Sequence, residues 1–129
     1  MKVISIKEPF ATCIVKKHKI IETRSWKTSY RGVIYIHASK TIMKDKVSEN
    51  ALKYINIEDC HSSEIIGKAN LVDCILMTKE FINEIKKNNK EYSLGIYEEG
   101  RFAWILEDIE EIEPIPAKGK LNIWEYKED

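Results

Sequence analysis

The spacing of apolar residues changes character several times along this chain, and each change marks an element. Val3 to Ile6 reads as a short strand, stopped at Glu8-Pro9 because the residue before proline is steered away from helical backbone. Pro9 suits the first turn of a helix. Phe10, Cys13 and Ile14 then fall at helical spacing, and Lys16, Lys17 and His18 bring cations to a last turn that ends near His18. Ile20 to Arg24 partly alternates apolar and polar positions, and Gly32 introduces the apolar, β-rich run Val33 to His37, so two strands separated by a polar loop are expected.

Met43 to Ile57 places Val47, Ala51, Tyr54 and Ile55 on one side of an amphipathic helix. Ser39 and Lys40 leave the preceding strand, to cap and solvate that helix or to reach a ligand. Glu58 to Ser63 is a loop. Ile65 to Met77 reads as a long central strand in which Gly67 marks a bend or bulge. Thr78 is the expected N-cap of a helix over Lys79 to Tyr92, with Phe81, Ile82 and Ile85 apolar among exposed lysines. Phe102, Trp104 and Leu106 alternate in a buried strand from Arg101 to Ile112 that Pro114 and Pro116 end, and Lys118 to Trp124 supplies a last strand after a Lys-Gly-Lys turn. With about six strands, about three helices and no repeat or linker, the pattern predicts an α+β fold: a small, strongly curved or closed sheet carrying helices.

Composition sharpens this in two ways. The length of 129 residues fits one domain covering 1–129, and 43% hydrophobic content is enough for a core and too much for a disordered tail. The 21 basic and 21 acidic residues cancel, which excludes a polybasic, histone-like protein. The cancellation hides a division, however. Residues 1–47 hold eleven bases and three acids, a local charge of +8, and the remainder carries −8. Either the bases form a positive face for an anionic ligand or the two halves intermix in space, and charge alone leaves both open.

Cys13, Cys60 and Cys74 are odd in number and form no CxxC pair, which fits a reducing cytoplasm. Neither a signal peptide nor a membrane-spanning run is visible, so a soluble cytoplasmic protein without a membrane partner is expected. Cys60-His61, His18 and His37 do not match zinc-site spacing, so no metal and no cofactor are assigned.

The densest polar cluster is Lys19-Ile20-Ile21-Glu22-Thr23-Arg24-Ser25-Trp26, at the junction of a predicted helix and strand. In an extended segment Glu22 and Arg24 share a face, so a carboxylate acceptor and a guanidinium fork converge on one ligand, with Lys19 on the turn beside them. The plainer reading is a salt-bridged strand edge, with Arg24 paired to Glu22 and Trp26 packed as core.

This cluster resembles the signature Gly-x-Lys-x-x-Glu-x-Arg of the ASCH domain family, named for activating signal cointegrator homology. Lys19, Glu22 and Arg24 fill three of its four positions, and Lys17 stands where the family has glycine. The resemblance continues through Ser5-Ile6-Lys7-Glu8-Pro9-Phe10-Ala11, Tyr30-Arg31-Gly32, Ile36-His37-Ala38-Ser39, Gly67-Lys68-Ala69, Val72-Asp73-Cys74, Ala103-Trp104-Ile105-Leu106-Glu107 and Pro114-Ile115-Pro116-Ala117-Lys118-Gly119. It implies a PUA-like β-barrel of about six strands with flanking helices, and a cleft beside the signature that holds RNA or a nucleotide-like ligand.

The residues fit that implication. Lys7, Lys19, Arg24, Arg31 and Lys40 suit phosphate, Trp26 and Tyr30 suit stacking on a splayed base, and Glu22 accepts from an exocyclic amine. Ser25, His37 and Ser39 complete the implied ligand-binding set. His37 reads either as a satisfied strand histidine or as a base. The resemblance also admits hydrolysis, because family members include ribonucleases and amidohydrolases of N4-acetylcytidine. In the amidohydrolases a threonine nucleophile, activated by a neighbouring lysine, stands at the position of Glu22, so their hydroxyl mechanism does not transfer. A hydrolase here uses Glu22 as base or proton shuttle with Lys19 as electrostatic partner, making these two the candidate catalytic pair. A third reading, with the protein partner unknown, is an interaction module that uses the acidic run Glu107 to Glu113 as a docking face.

Overall fold

Pairing extends several strand signals in this chain, and helix signals are shortened by the absence of enough buried face. The computed structural model describes residues 1–127. Strands β1 (Lys2–Glu8), β2 (Ile21–Arg24), β3 (Gly32–Ile42), β4 (Glu64–Leu76), β5 (Phe102–Pro116) and β6 (Ile123–Glu125) form one sheet in the order β2-β5-β4-β3-β1-β6. Only β1 and β3 run parallel; the remaining neighbours are antiparallel. Helices α1 (Phe10–Val15), α2 (Lys46–Ala51), α3 (Lys79–Ile85) and α4 (Asn89–Ser93), with a 3-10 turn over Ile57–Asp59, flank it.

Several expectations change, each for a local reason. Ser39 and Lys40 do not cap a helix: β3 runs on through them, and Asp45 caps α2, its side chain accepting from Ser48 N–H. The helix expected over Met43 to Ile57 shrinks to six residues, because Leu52, Tyr54 and Ile57 face solvent and leave no continuous buried stripe. The helix expected over Lys79 to Tyr92 splits at Asn88, whose side chain accepts from Glu91 N–H and starts α4. Thr78 caps α3 as expected. Pro114 does not end β5, which stays paired with β4 through it and ends, as expected, at Pro116. Strand β2 covers only Phe102 to Ile105, so the prolines lie where the other edge of β5 is open and no amide donor is required of them. The last strand is confined to Ile123–Glu125.

The long β4/β5 pair bends at three register shifts, one of them between Ile65 and Gly67. A side chain at Gly67 would collide with Val15 Cγ1 and come within 3.0 Å of the Glu110 carbonyl oxygen, so glycine lets α1 press onto β4. The curl gathers Ile4 and Ile6, Ile34 and Ile36, Leu71, and Trp104 and Leu106 from four strands around Ile14 and Val15 of α1. The sheet is barrel-like but open, ending at β2 on one side and β6 on the other. The buried carboxylate of Glu8 ties the start of α1 to the segment after the 3-10 turn. It accepts from Thr12 N–H (2.8 Å), the Thr12 hydroxyl (2.5 Å) and His61 N–H (2.8 Å).

Candidate functional site

Helix α1 ends in a turn that sets the Lys19 segment. His18 N–H donates to the Cys13 carbonyl at 2.8 Å and Lys17 N–H to that of Ile14 at 2.9 Å, with Lys17 at φ +67°, a Schellman motif. Lys17, which stands where the signature has glycine, thus adopts a left-handed backbone, the conformation that glycine takes up most readily. The chain then turns Lys19 inward, where it is 2% exposed. Its ammonium lies 3.6 Å from Glu22 Oε1 and 5.2 Å from the centroid of the Phe10 ring, contacts that offset the cost of burying the charge.

Strand β2 places Glu22 and Arg24 on one face, as its period of two requires. Arg24 Nε lies 3.0 Å from Glu22 Oε2, but its buried N–H is not aligned on an acceptor, so the contact is an ion pair without a hydrogen bond. Arg24 Nη2 donates to the Ser5 carbonyl at 2.7 Å. Behind the cluster, Glu91 of α4 accepts from Ile20 N–H at 3.0 Å and Ile21 N–H at 3.2 Å. Burial pushes the Glu91 carboxyl above its ordinary range, against the pull of the two N–H groups and of Lys19 and Lys90. Both the salt-bridged edge and the convergent polar face expected from the sequence are thus present together.

An open cavity of about 680 Å³ lies over this cluster, and it is lined by Lys7, Lys19, Glu22, Arg24, Ser25, Trp26, His37, Ser39 and Lys40. Trp26 packs edge-on against buried Trp104, with 4.7 Å between ring centroids, and also lines the cavity. Tyr30 and Arg31 are not brought there. The Tyr30 hydroxyl donates to the Val33 carbonyl, and Arg31 donates to the carbonyls of Thr28 and Tyr30 and lies 3.7 Å from Asp73.

Other lining residues carried no site signal in the sequence. Ser5 reaches the cavity from β1, Arg101 from the turn before β5, and Lys118, Gly119 and Lys120 from the segment before β6. Lys-Gly-Lys reads locally as a turn, and only the curl of the sheet brings it opposite the signature. Seven basic side chains therefore line the cavity, with the carboxylates of Glu22 and Asp45 among them. In the acidic run of β5, Glu110 lies 3.7 Å from Lys68 and Glu111 3.0 Å from Lys16, so these two acids meet cations of their own chain.

The ASCH domain model matches residues 4–116 of this chain. Activating signal cointegrator 1 from Homo sapiens and from Mus musculus are each 29% identical to it over 131 residues, covering 94% of the chain and 21% of their own length. The chain thus spans about a fifth of the curated relatives it matches. A crystal structure of ASCH from Zymomonas mobilis superimposes with a TM-score of 0.57 at 21% identity, covering 89% of this chain and 72% of that one. A mutant of the Zymomonas protein gives 0.56 at 21% identity, over 89% and 74%. The described residues include no helix long and apolar enough to cross a membrane.

Proposed function

Because the chain belongs to the ASCH domain family, we propose that its cavity binds single-stranded RNA or a nucleotide-like piece of it. The observation that carries this reading is the gathering of seven basic side chains around the apolar surfaces of Phe10 and Trp26 in one open cavity. Exposed Lys7, Lys40, Lys118 and Lys120 suit phosphates, and the rings suit a base. Glu22 holds Lys19 and Arg24 in place, and its oxygens keep lone pairs for an exocyclic amine. Its carboxylate bridges both cations, one on each oxygen, so we read it as an anchor in preference to a shuttle.

Fluorescence anisotropy with a panel of labelled single-stranded RNAs over a salt series tests the reading. Affinity is expected to fall as salt rises, and each of Lys40→Ala and Lys120→Ala is expected to lessen the log-log slope by about 0.7. Lys79→Ala and Lys87→Ala, on and just beyond α3, serve as controls that leave the slope unchanged. Equal slopes for cavity and control variants would sink this assignment of the interface. Catalysis through Glu22 is separable: Glu22→Gln that keeps RNA binding but loses cleavage or deacylation would restore the hydrolase reading.

A further inference from the structure

Ser5 and His37 are register partners across the parallel β1/β3 pair. Ser5 Oγ lies 3.0 Å from His37 Nδ1, and His37 Nε2 lies 2.7 Å from the Ala117 carbonyl oxygen. A carbonyl only accepts, so Nε2 carries the ring proton, Nδ1 is the base, and the Ser5 hydroxyl donates to it. The Trp124 indole N–H donates to Ser5 Oγ at 3.0 Å. His37 is 1% exposed, while Ser5 is only partly buried and both line the cavity. Gly119 closes over the pair: a Cβ there would sit 2.8 Å from His37 Cε1 and 3.0 Å from Ser5 Oγ. Hydroxyl, base and a third group that orients the base are the three parts of an activated serine.

We propose that Ser5 is a nucleophile for acyl transfer in this cavity, with His37 as its general base. Oγ bonds to the carbonyl carbon of an ester while its proton passes to Nδ1. The tetrahedral intermediate collapses, the C–O bond to the alcohol breaks, and that oxygen takes the proton from Nδ1, leaving Ser5 acylated. Water then attacks the acyl carbon, giving its proton to Nδ1; the acyl–Oγ bond breaks, Oγ recovers that proton, and the carboxylic acid departs. Water is the only co-reactant. The Ala117 carbonyl stabilises the imidazolium, and the Trp124 N–H stabilises charge that builds on Oγ. The surrounding cations favour esters carried by anionic molecules. This inference shares the cavity with the RNA reading but needs no RNA, so each fails by its own experiment.

Reaction with a fluorophosphonate probe, followed by peptide mapping, tests the nucleophile. Label is expected on Ser5, absent in Ser5→Ala and at least about tenfold slower in His37→Gln, with folding checked by circular dichroism. No label on Ser5, or an unchanged rate in His37→Gln, overturns the proposal. A second measurement retains a nucleophile: Ser5→Cys in a Cys74→Ser background. Burial pushes the native thiols of Cys13 and Cys60 up to about 11, leaving the introduced thiol as the one to react. Near neutral pH it is expected to alkylate about tenfold faster than the same variant also carrying His37→Gln. Equal rates again overturn the dyad. Acetylsalicylate hydrolysis should be enhanced over its uncatalysed rate more than that of neutral phenyl acetate; equal enhancement refutes selection for anionic esters.

Discussion

Single residues decide how the signature is presented. Lys17 holds φ +67°, a backbone that costs an L-residue about 1 kcal/mol or more and glycine almost nothing. Lys17→Gly is therefore expected to raise stability by about 1 kcal/mol in urea denaturation, since its amide contacts in the turn do not depend on the side chain. Glu91 acts in the opposite sense. Its carboxyl ionises later in the fold than in the unfolded chain, so between those two values the fold keeps a proton the unfolded chain has lost. The contribution of Glu91 is thus largest at low pH and falls as pH rises from the ordinary carboxylate value through the raised one. Denaturation of wild type and Glu91→Gln across acidic to neutral pH should show their stability difference declining in that window and then levelling. A difference independent of pH would contradict this account.

Elements are positioned by close approach and by capping more than by intrinsic propensity. Helix α1 has only six residues, too few to persist alone, and survives because five of them are buried against the sheet and because Glu8 engages its first turn. Gly67 is the point at which the sheet admits it. Gly67→Ala forces either Val15 or the Glu110 backbone to move and is expected to cost about 2 kcal/mol in equilibrium unfolding. The α3/α4 boundary rests on a side chain: Asn88→Ala should cost about 1 kcal/mol by the same measurement, because Glu91 N–H loses its cap. The strands of this fold were legible from runs of β-branched and aromatic residues. The helices were legible only in position, since how much of an amphipathic face is covered depends on neighbours that a local pattern does not contain.

For the whole molecule, the division of charge along the chain takes on a different meaning in three dimensions. Only four of the eleven bases in residues 1–47 line the cavity: Lys7, Lys19, Arg24 and Lys40. Three more, Arg101, Lys118 and Lys120, come from the half that carries −8. The positive cavity is thus assembled across the sequence division and does not inherit it. Arg31 is the check at this scale: it lies in the basic segment but off the cavity, so Arg31→Ala should leave RNA affinity within about twofold of wild type in the anisotropy assay. The strand set and the Lys19, Glu22 and Arg24 cluster were readable from the chain alone, because strand periodicity and the spacing of neighbouring polar residues are short-range properties. It emerged only in three dimensions that Ser5 meets His37, that Lys118 to Lys120 face the signature, and that Tyr30 and Arg31 do not. Those facts depend on strand register and on the curl of the sheet, which arise when residues far apart in the chain compete for one core.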